Sequence, residues 1–513
     1  MHIRLGGSLG LPRNPILLVA ALAVLLLPGY LLTAGKLTDH DCFIMGEVAQ
    51  RVLAGDRLYE GAWDNKPPLA LFWAAAPLAI APGSYTALQA AFFVLLAAEA
   101  LLACVLLRDE PAWFRAAAGG LILLLPLQRP EYAWASSEDI HNFFVVPVVL
   151  GAYRALRRGR MHPAGWAAMG AALALACHVR QTAALFGLVP LAVALGLRSP
   201  PMTKLLRIAA MAVGGLAAWA LLVAALSPIM SLPGYVQTVF LAPRQYRGHY
   251  WEAVTLLSAV RNDAAGMVIF AASALLVGAG PRPWSAAAIA PAPAGTASPA
   301  AGPTVPAGRW FFAAVVGAAG AAVFAPMRPF LHYWEQIAPA LVLMVPAALA
   351  VLAPRPRRFA TAVAGLFLSA NAAFTVAYLG LVRTPLSDEH VLRERMDAVA
   401  GLIRRVSAPG DSLLAVGRQS AYLAFAAGLR PATTFFWDGF WDRLVPLSGR
   451  TVEAAGGELR AAPPAILALP ADGEVPPATL AGNSLGPILR EWLTDGRYEE
   501  VGSANGWRIL RRR

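Results

Sequence analysis

"TDHDCFIMGEVAQRVLAGDRLYEGAWDNKPPL", residues 38–69, comes directly after the apolar run Leu17–Ala34. Two acids, Asp39 and Asp41, flank His40 at the mouth of that run. An acid at a membrane–water boundary costs little while it is solvated, so the plain reading is two wet loop residues. The residues beyond them make more than a connector. Residues 47–53 are amphipathic, Gly55-Asp56 is a turn, and Trp63, Asp64, Asn65 and Lys66 form an aromatic–acid–amide–cation cluster. Pro67 and Pro68 open the next apolar run. Proline suits the first turn of a helix, where no N–H needs an intrahelical partner. Trp63 and Lys66 suit the head-group level, each carrying an apolar body and a polar end. The stretch therefore reads as a shaped cap lying on a membrane.

The rest of the chain supplies the membrane. Of 513 residues, 58% are hydrophobic and only 14% are charged, which is unusual for a soluble chain of this size. Apolar stretches recur at about 15–34, 67–82, 86–107, 112–128, 140–156, 163–178, 182–197, 205–227, 264–279, 309–326, 335–353 and 359–382. This pattern predicts an α-helical polytopic membrane protein with about eleven or twelve transmembrane helices. The net charge is +12, but its cations gather in short loops such as "RRGR" (157–160) and "RPRR" (355–358). That is the positive-inside pattern, and it needs only membrane lipids as partners, no nucleic acid. Arg4 and Arg13 place the N-terminus in the cytoplasm and residues 35–66 outside. Three apolar runs lie between residues 67 and 128, where charge requires an even number of crossings, so one of them is read as a half-helix. Residues 281–308 form a Pro/Ala-rich cytoplasmic linker.

From residue 383 the composition turns polar. Leu392, Met396, Val399, Ile403 and Val406 recur on one face of a helix over 387–407. "SLLAVG" (412–417) and "AILAL" (465–469) read as buried strands, "ILREWL" as a helix, and the tail as a hairpin. The chain thus divides into a transmembrane domain, 1–382, and a small extracytoplasmic α/β domain, 383–513. Its three cysteines, Cys42, Cys104 and Cys177, have neither metal-ligand spacing nor a disulfide framework.

The opening stretch resembles the first external loop of GT-C glycosyltransferases, the protein O-mannosyltransferase and aminoarabinose transferase relatives. In that family an acidic motif, commonly Asp-Glu, is followed by an Ala-rich helix, then L-x-G-x-x-x-Y, then [DE]-x-K-P-P-L. Asp41 takes the place of the essential Asp, while Cys42 replaces the following Glu. "SSEDIHNFFVVPVVL" (136–150) resembles the second external acidic site, matched by Glu138 or Asp139. "HVRQTAALF" (178–186) resembles a basic-Gln-Thr turn between two short helices. "RPFLHYWEQIAPALVL" (328–343) resembles the P-H-Y run near the last spans. "PGDSLLAVG" and "YLAFAAGLRPATTFF" resemble the external domain of bacterial members.

The resemblance implies a GT-C fold and a membrane enzyme that is mannosyltransferase-like in its chemistry. Its donor would be a sugar on a polyprenyl phosphate. Its acceptor would be a cell-envelope glycan, lipid or protein on the outer face of a bacterial inner membrane. Asp41 is the candidate base, with Glu138, Asp139 and Asp39 as candidates for a second acid. Arg180, Arg328, His332 and Lys66 are the candidates around the donor phosphate, where cations would stabilise the departing charge. Tyr246 and Arg247, in "RQYRGHYW", are candidates for a substrate lid. A divalent cation is compatible with the resemblance, although Cys42 removes one of the usual loop carboxylates and leaves the metal unknown. Each residue also has a bland reading. Arg180 can be a snorkelling anchor, Lys66 a head-group binder, His332 an interfacial hydrogen-bonder, and the acids solvated loop residues; His178 reads as core. The chain has no Walker A motif, no His-Glu-x-x-His, no Cys-x-x-Cys and no Gly-x-Ser-x-Gly. A lipid or sugar transporter and an inactive GT-C-like assembly partner stand as alternatives.

Overall fold

The computed structural model describes residues 14–32, 40–125, 136–245, 305–324, 335–352, 385–417, 419–434, 441–471 and 484–513. Asp39, Tyr246, Arg247, Arg328, His332, residues 281–304 of the linker, and the runs at 264–279 and 359–382 lie outside them.

The apolar runs become helices with recognisable starts. They are α1 (Pro15–Leu32), α3 (Pro68–Ile80), α4 (Tyr85–Leu106), α5 (Ala112–Leu124), α6 (Ser137–Arg158), α7 (Pro163–Cys177), α8 (Leu188–Gly196) and α9 (Pro201–Leu226). The acid-bearing cap helix α2 (His40–Leu53) lies between α1 and α3, and the short α10 (Leu232–Val236) and α11 (Ala242–Gln245) come after α9. Helices α12 (Val305–Phe324) and α13 (Ala338–Leu352) complete this part, and α12 starts inside the stretch read as linker. Proline occupies the first turn of α3, α7 and α9. Ser84 caps α4 by accepting from the Ala87 N–H. Among the described residues of the three runs between 67 and 128, only α4 is long and apolar enough to cross a bilayer. Helices α3 and α5 have 13 residues each, which is about 20 Å of rise against a hydrocarbon core of ~30 Å.

Helix α6 is buried along most of its length and packs against α4, α7, α8 and α13. Helix α9 is the opposite case. None of its 26 residues is buried, and Leu205, Leu206, Leu216 and Leu221 point outward. It is held by backbone approach to α7. A Cβ on Gly170 would lie 1.9 Å from the Met211 carbonyl oxygen, and one on Gly214 2.1 Å from that of Ala167. Small residues at such crossings let helices pack where water provides no hydrophobic drive.

The C-terminal part begins with α14 (Pro385–Val406), whose Met396, Val399 and Ile403 are buried as the periodicity predicts. Beyond it lies a five-stranded sheet in the order β2-β1-β3-β5-β4. Strands β1 (Ser412–Ala415), β2 (Arg430–Pro431) and β3 (Ile466–Pro470) are parallel, and β4 (Tyr498–Ala504) and β5 (Trp507–Arg512) are the antiparallel hairpin. Asn505 and Gly506 both have positive φ in its two-residue turn, the geometry that matches strand twist. Helices α15 (Ser420–Ala427), α16 (Val452–Ala461) and α17 (Leu485–Thr494) flank the sheet. The buried residues form two cores. One runs through the helical bundle. The other joins α2, α3, the 58–63 loop and the whole α/β part.

Candidate active site

Three chain segments meet at one end of α6. Ser136 and Asp139 form a reciprocal capping box: the Ser136 hydroxyl accepts from the Asp139 N–H at 3.3 Å, and the Ser136 N–H donates to Asp139 Oδ2 at 3.1 Å. Two acids that sequence reasoning could not separate therefore have different tasks. Asp139 caps the helix. Glu138, fully buried, forms an ion pair with Arg180 from the turn after α7. Arg180 Nη1 also donates to Ser137 Oγ at 2.8 Å, and Ser137 Oγ donates to Glu138 Oε2 at 3.0 Å. A mostly buried arginine needs such a partner, because an unpaired charge in low dielectric is costly.

The third segment is the turn before α13. Ser136 Oγ donates to Glu335 Oε2 at 2.7 Å, Asn142 donates to the Glu335 carbonyl at 3.0 Å, and Thr182 Oγ1 donates to Gln336 Oε1 at 2.6 Å. Glu99, buried in α4, is within electrostatic reach of Asp139, and its Oε2 has no hydrogen-bond partner among the described residues. Sequence reasoning passed over Glu99, Glu335 and Gln336. Glu99 had left a signal, a lone acid in a 22-residue apolar helix.

The cap is fixed beside this network. The Leu69 N–H donates to the His178 carbonyl at 2.9 Å, which ties the start of α3 to the turn that carries Arg180. Lys66 is buried and pairs with Asp64 at 3.1 Å. Tyr59 donates to the Lys66 carbonyl at 2.8 Å from a backbone with φ +66°, an uncommon conformation for an aromatic residue. The segment after α9 holds the cap from the other side. Leu58 exchanges backbone hydrogen bonds with Ile229 and Ser231, and Trp63 Nε1 donates to Thr238 Oγ1 at 3.1 Å. His178 is a core residue, as expected. Its Nδ1 donates to the Ala174 carbonyl and its Nε2 accepts from Tyr235.

Asp41 falls in the first turn of α2. Ile140 and Val179, chain neighbours of the Glu138–Arg180 pair, share one continuous core with Phe43 and Val48 of that helix. The structure thus brings Lys66, Glu138, Asp139, Arg180 and the helix of Asp41 to the capped end of the bundle. Among the described residues no group of three or more His, Cys, Asp or Glu side chains is arranged to hold a metal ion.

No family model matches the sequence, and no curated protein does. Solved structures do. The crystal structure of ArnT from Cupriavidus metallidurans bound to undecaprenyl phosphate superposes with a TM-score of 0.58 at 16% identity, covering 96% of this chain and 97% of that one. The same protein in the apo state gives 0.57 at 16% identity over the same shares. A likeness at this identity concerns the fold alone, and this chain shares that fold along almost its whole length.

Proposed function

We propose that the protein is an integral-membrane glycosyltransferase that moves a sugar from a polyprenyl-phosphate carrier to a cell-envelope glycan, lipid or protein. The observation that carries this reading is the Glu138–Arg180 ion pair at the capped end of the bundle, beside Ile140 and Val179, which share one core with the helix of Asp41. It stands within a fold shared along almost the whole chain with a protein solved bound to undecaprenyl phosphate. A helical domain, 1–382, would span a bacterial inner membrane with its N-terminus in the cytoplasm. The α/β domain, 383–513, and the cap would stand outside.

The reaction is a displacement at the anomeric carbon. An acceptor oxygen or nitrogen forms the new bond as the bond from that carbon to the phosphate oxygen breaks. Asp41 takes the acceptor's proton, and the polyprenyl phosphate leaves with the electron pair. Arg180 and Lys66 stabilise the departing charge, with Arg328 and His332 as further candidates. Arg180 already meets Glu138 and Lys66 already meets Asp64, so a phosphate would share both cations with carboxylates. Such sharing favours release of the product phosphate as well as its binding.

The test uses the purified protein in lipid with radiolabelled polyprenyl-phosphate sugars and a membrane-glycan extract as acceptor. Wild type should release sugar, and Asp41→Asn should lose about a hundredfold or more of that rate while still binding donor. Equal rates in both would remove Asp41 from its role. No turnover of any donor would turn the reading toward a transporter or an inactive partner.

A further inference from the structure

The α/β domain is more than an attachment to the outside of the bundle. Its α15 lies against α2, the helix whose first turn contains Asp41. Phe43 of α2 stands with its ring centroid 4.8 Å from that of Tyr422, edge to face, and 6.0 Å from that of Phe425. One turn on, Gly46 leaves room for the Phe425 ring: a Cβ there would lie 2.7 Å from Phe425 Cε2. At the end of the same stripe Arg51, buried, donates to the Thr433 carbonyl at 2.9 Å and to Asp56 at 2.9 Å. Asp56 is also met by Arg430 at 2.8 Å, so the cap loop and the β2 edge share one carboxylate. The contact therefore extends from the first turn of α2 to its last, with rings at one end and charge-assisted hydrogen bonds at the other.

We propose that the α/β domain sets the position of Asp41 by holding α2, with Phe43, Gly46 and Arg51 as positioning residues. The inference rests on the proposed role of Asp41 for its catalytic consequence, although the mechanical link can be read without it. A base must stand within hydrogen-bond reach of the proton it takes, so a helix displaced by an ångström slows the chemical step and leaves donor binding alone.

The experiment uses the full chain in lipid. Gly46→Val should push against Phe425 and lower kcat about tenfold to a hundredfold, with the donor KM unchanged within about twofold. Adding Phe425→Ala, which removes the ring, should recover most of that loss. Hydrogen exchange gives a readout independent of turnover. The amides of residues 42–53 should exchange faster in Phe425→Ala than in wild type, while those of α4 stay as they were. Unchanged exchange over α2 overturns the proposal whether or not the protein turns over a donor. A Gly46→Val variant that keeps full kcat overturns it too, as does a double variant no better than the single one. If wild type turns over no donor, the proposed function fails, and exchange alone decides whether the domain holds the helix.

Discussion

The two ends of α6 are both pinned by acid–arginine pairs, and they differ in what the pairs cost. At the capped end Glu138 is fully buried and Arg180 nearly so, and both hydrogen-bond to Ser137. At the other end Arg154 and Arg158 reach Asp109, which is 40% exposed, and Arg157 reaches the buried Glu110. The pairs to half-exposed Asp109 contribute about 0–1 kcal/mol, because water already solvates that carboxylate. A buried pair has to recover the hydration it gave up, so it is weak evidence of stabilisation and stronger evidence of use. The exposed end is a fastener. The buried end is where we propose the chemistry.

Breaking the buried pair gives the largest expected effect. Arg180→Ala leaves Glu138 buried without its cation and should cost about 3–5 kcal/mol in thermal or denaturant unfolding in detergent, and turnover should vanish. A double variant, Glu138→Met with Arg180→Met, sharpens the contrast. It should regain most of the stability, because an apolar pair of similar volume needs no hydration, and it should regain none of the activity. Recovery of activity along with stability would make the pair a scaffold only.

The capped side carries a further buried acid, on the cap helix α2. Glu47 on α2 has an Oε2 without a hydrogen-bond partner among the described residues, and burial pushes its carboxyl up to about 8 against an opposing pull from Arg51. Its folded value stands above its unfolded value, so folding takes up a proton between about pH 4.5 and 8. Stability from this group is complete below that window and is lost as pH rises through it. Glu47→Gln should therefore raise stability at pH 9 by about 1–3 kcal/mol, less than the full shift because an amide is still buried, and should change little near pH 4. A constant difference across the pH range would show that Glu47 does not titrate there.

The smallest effect belongs to the exposed end. Asp109→Asn should cost under about 1 kcal/mol at pH 7 and less in high salt. Hydrogen bonding to Arg158 holds the Asp109 carboxyl below its ordinary value, so the contribution is present at neutral pH and disappears as pH falls below the ordinary aspartate range. A loss comparable to that of Arg180→Ala would erase the distinction between the two ends.

Much of the fold was legible because apolar runs and helix starts are local signals. Pro68, Ser84 and Pro163 mark helix starts, and Met396, Val399 and Ile403 mark a buried face by spacing alone. Strands β1 and β3 and the terminal hairpin could be read from short apolar runs and an Asn-Gly turn. The candidate site was legible only in pieces. Periodicity says which face a residue occupies, but it does not say what stands opposite, so Glu138 and Arg180 could be singled out without being paired. Glu335 and Gln336 stand at the edge of an apolar run, where the sequence does not show that Ser136 and Thr182 meet them. Glu99 was diluted by the hydrophobic residues around it, and nothing in the sequence around Arg51 points to Thr433. Each gained its meaning from a partner brought close by folding.

The bond from Arg51 to Thr433 joins residues 382 positions apart. Synthesis runs from the N-terminus at about 5–20 residues per second, so helix α2 is made tens of seconds before its partner exists. Closing so long a loop is also a late and slow event in folding. A chain cut before residue 420 keeps the acid and the cap, but it lacks the Tyr422 and Phe425 rings that pack on Phe43 and Gly46. Translation order thus makes the last part of the polypeptide a completeness check on the first.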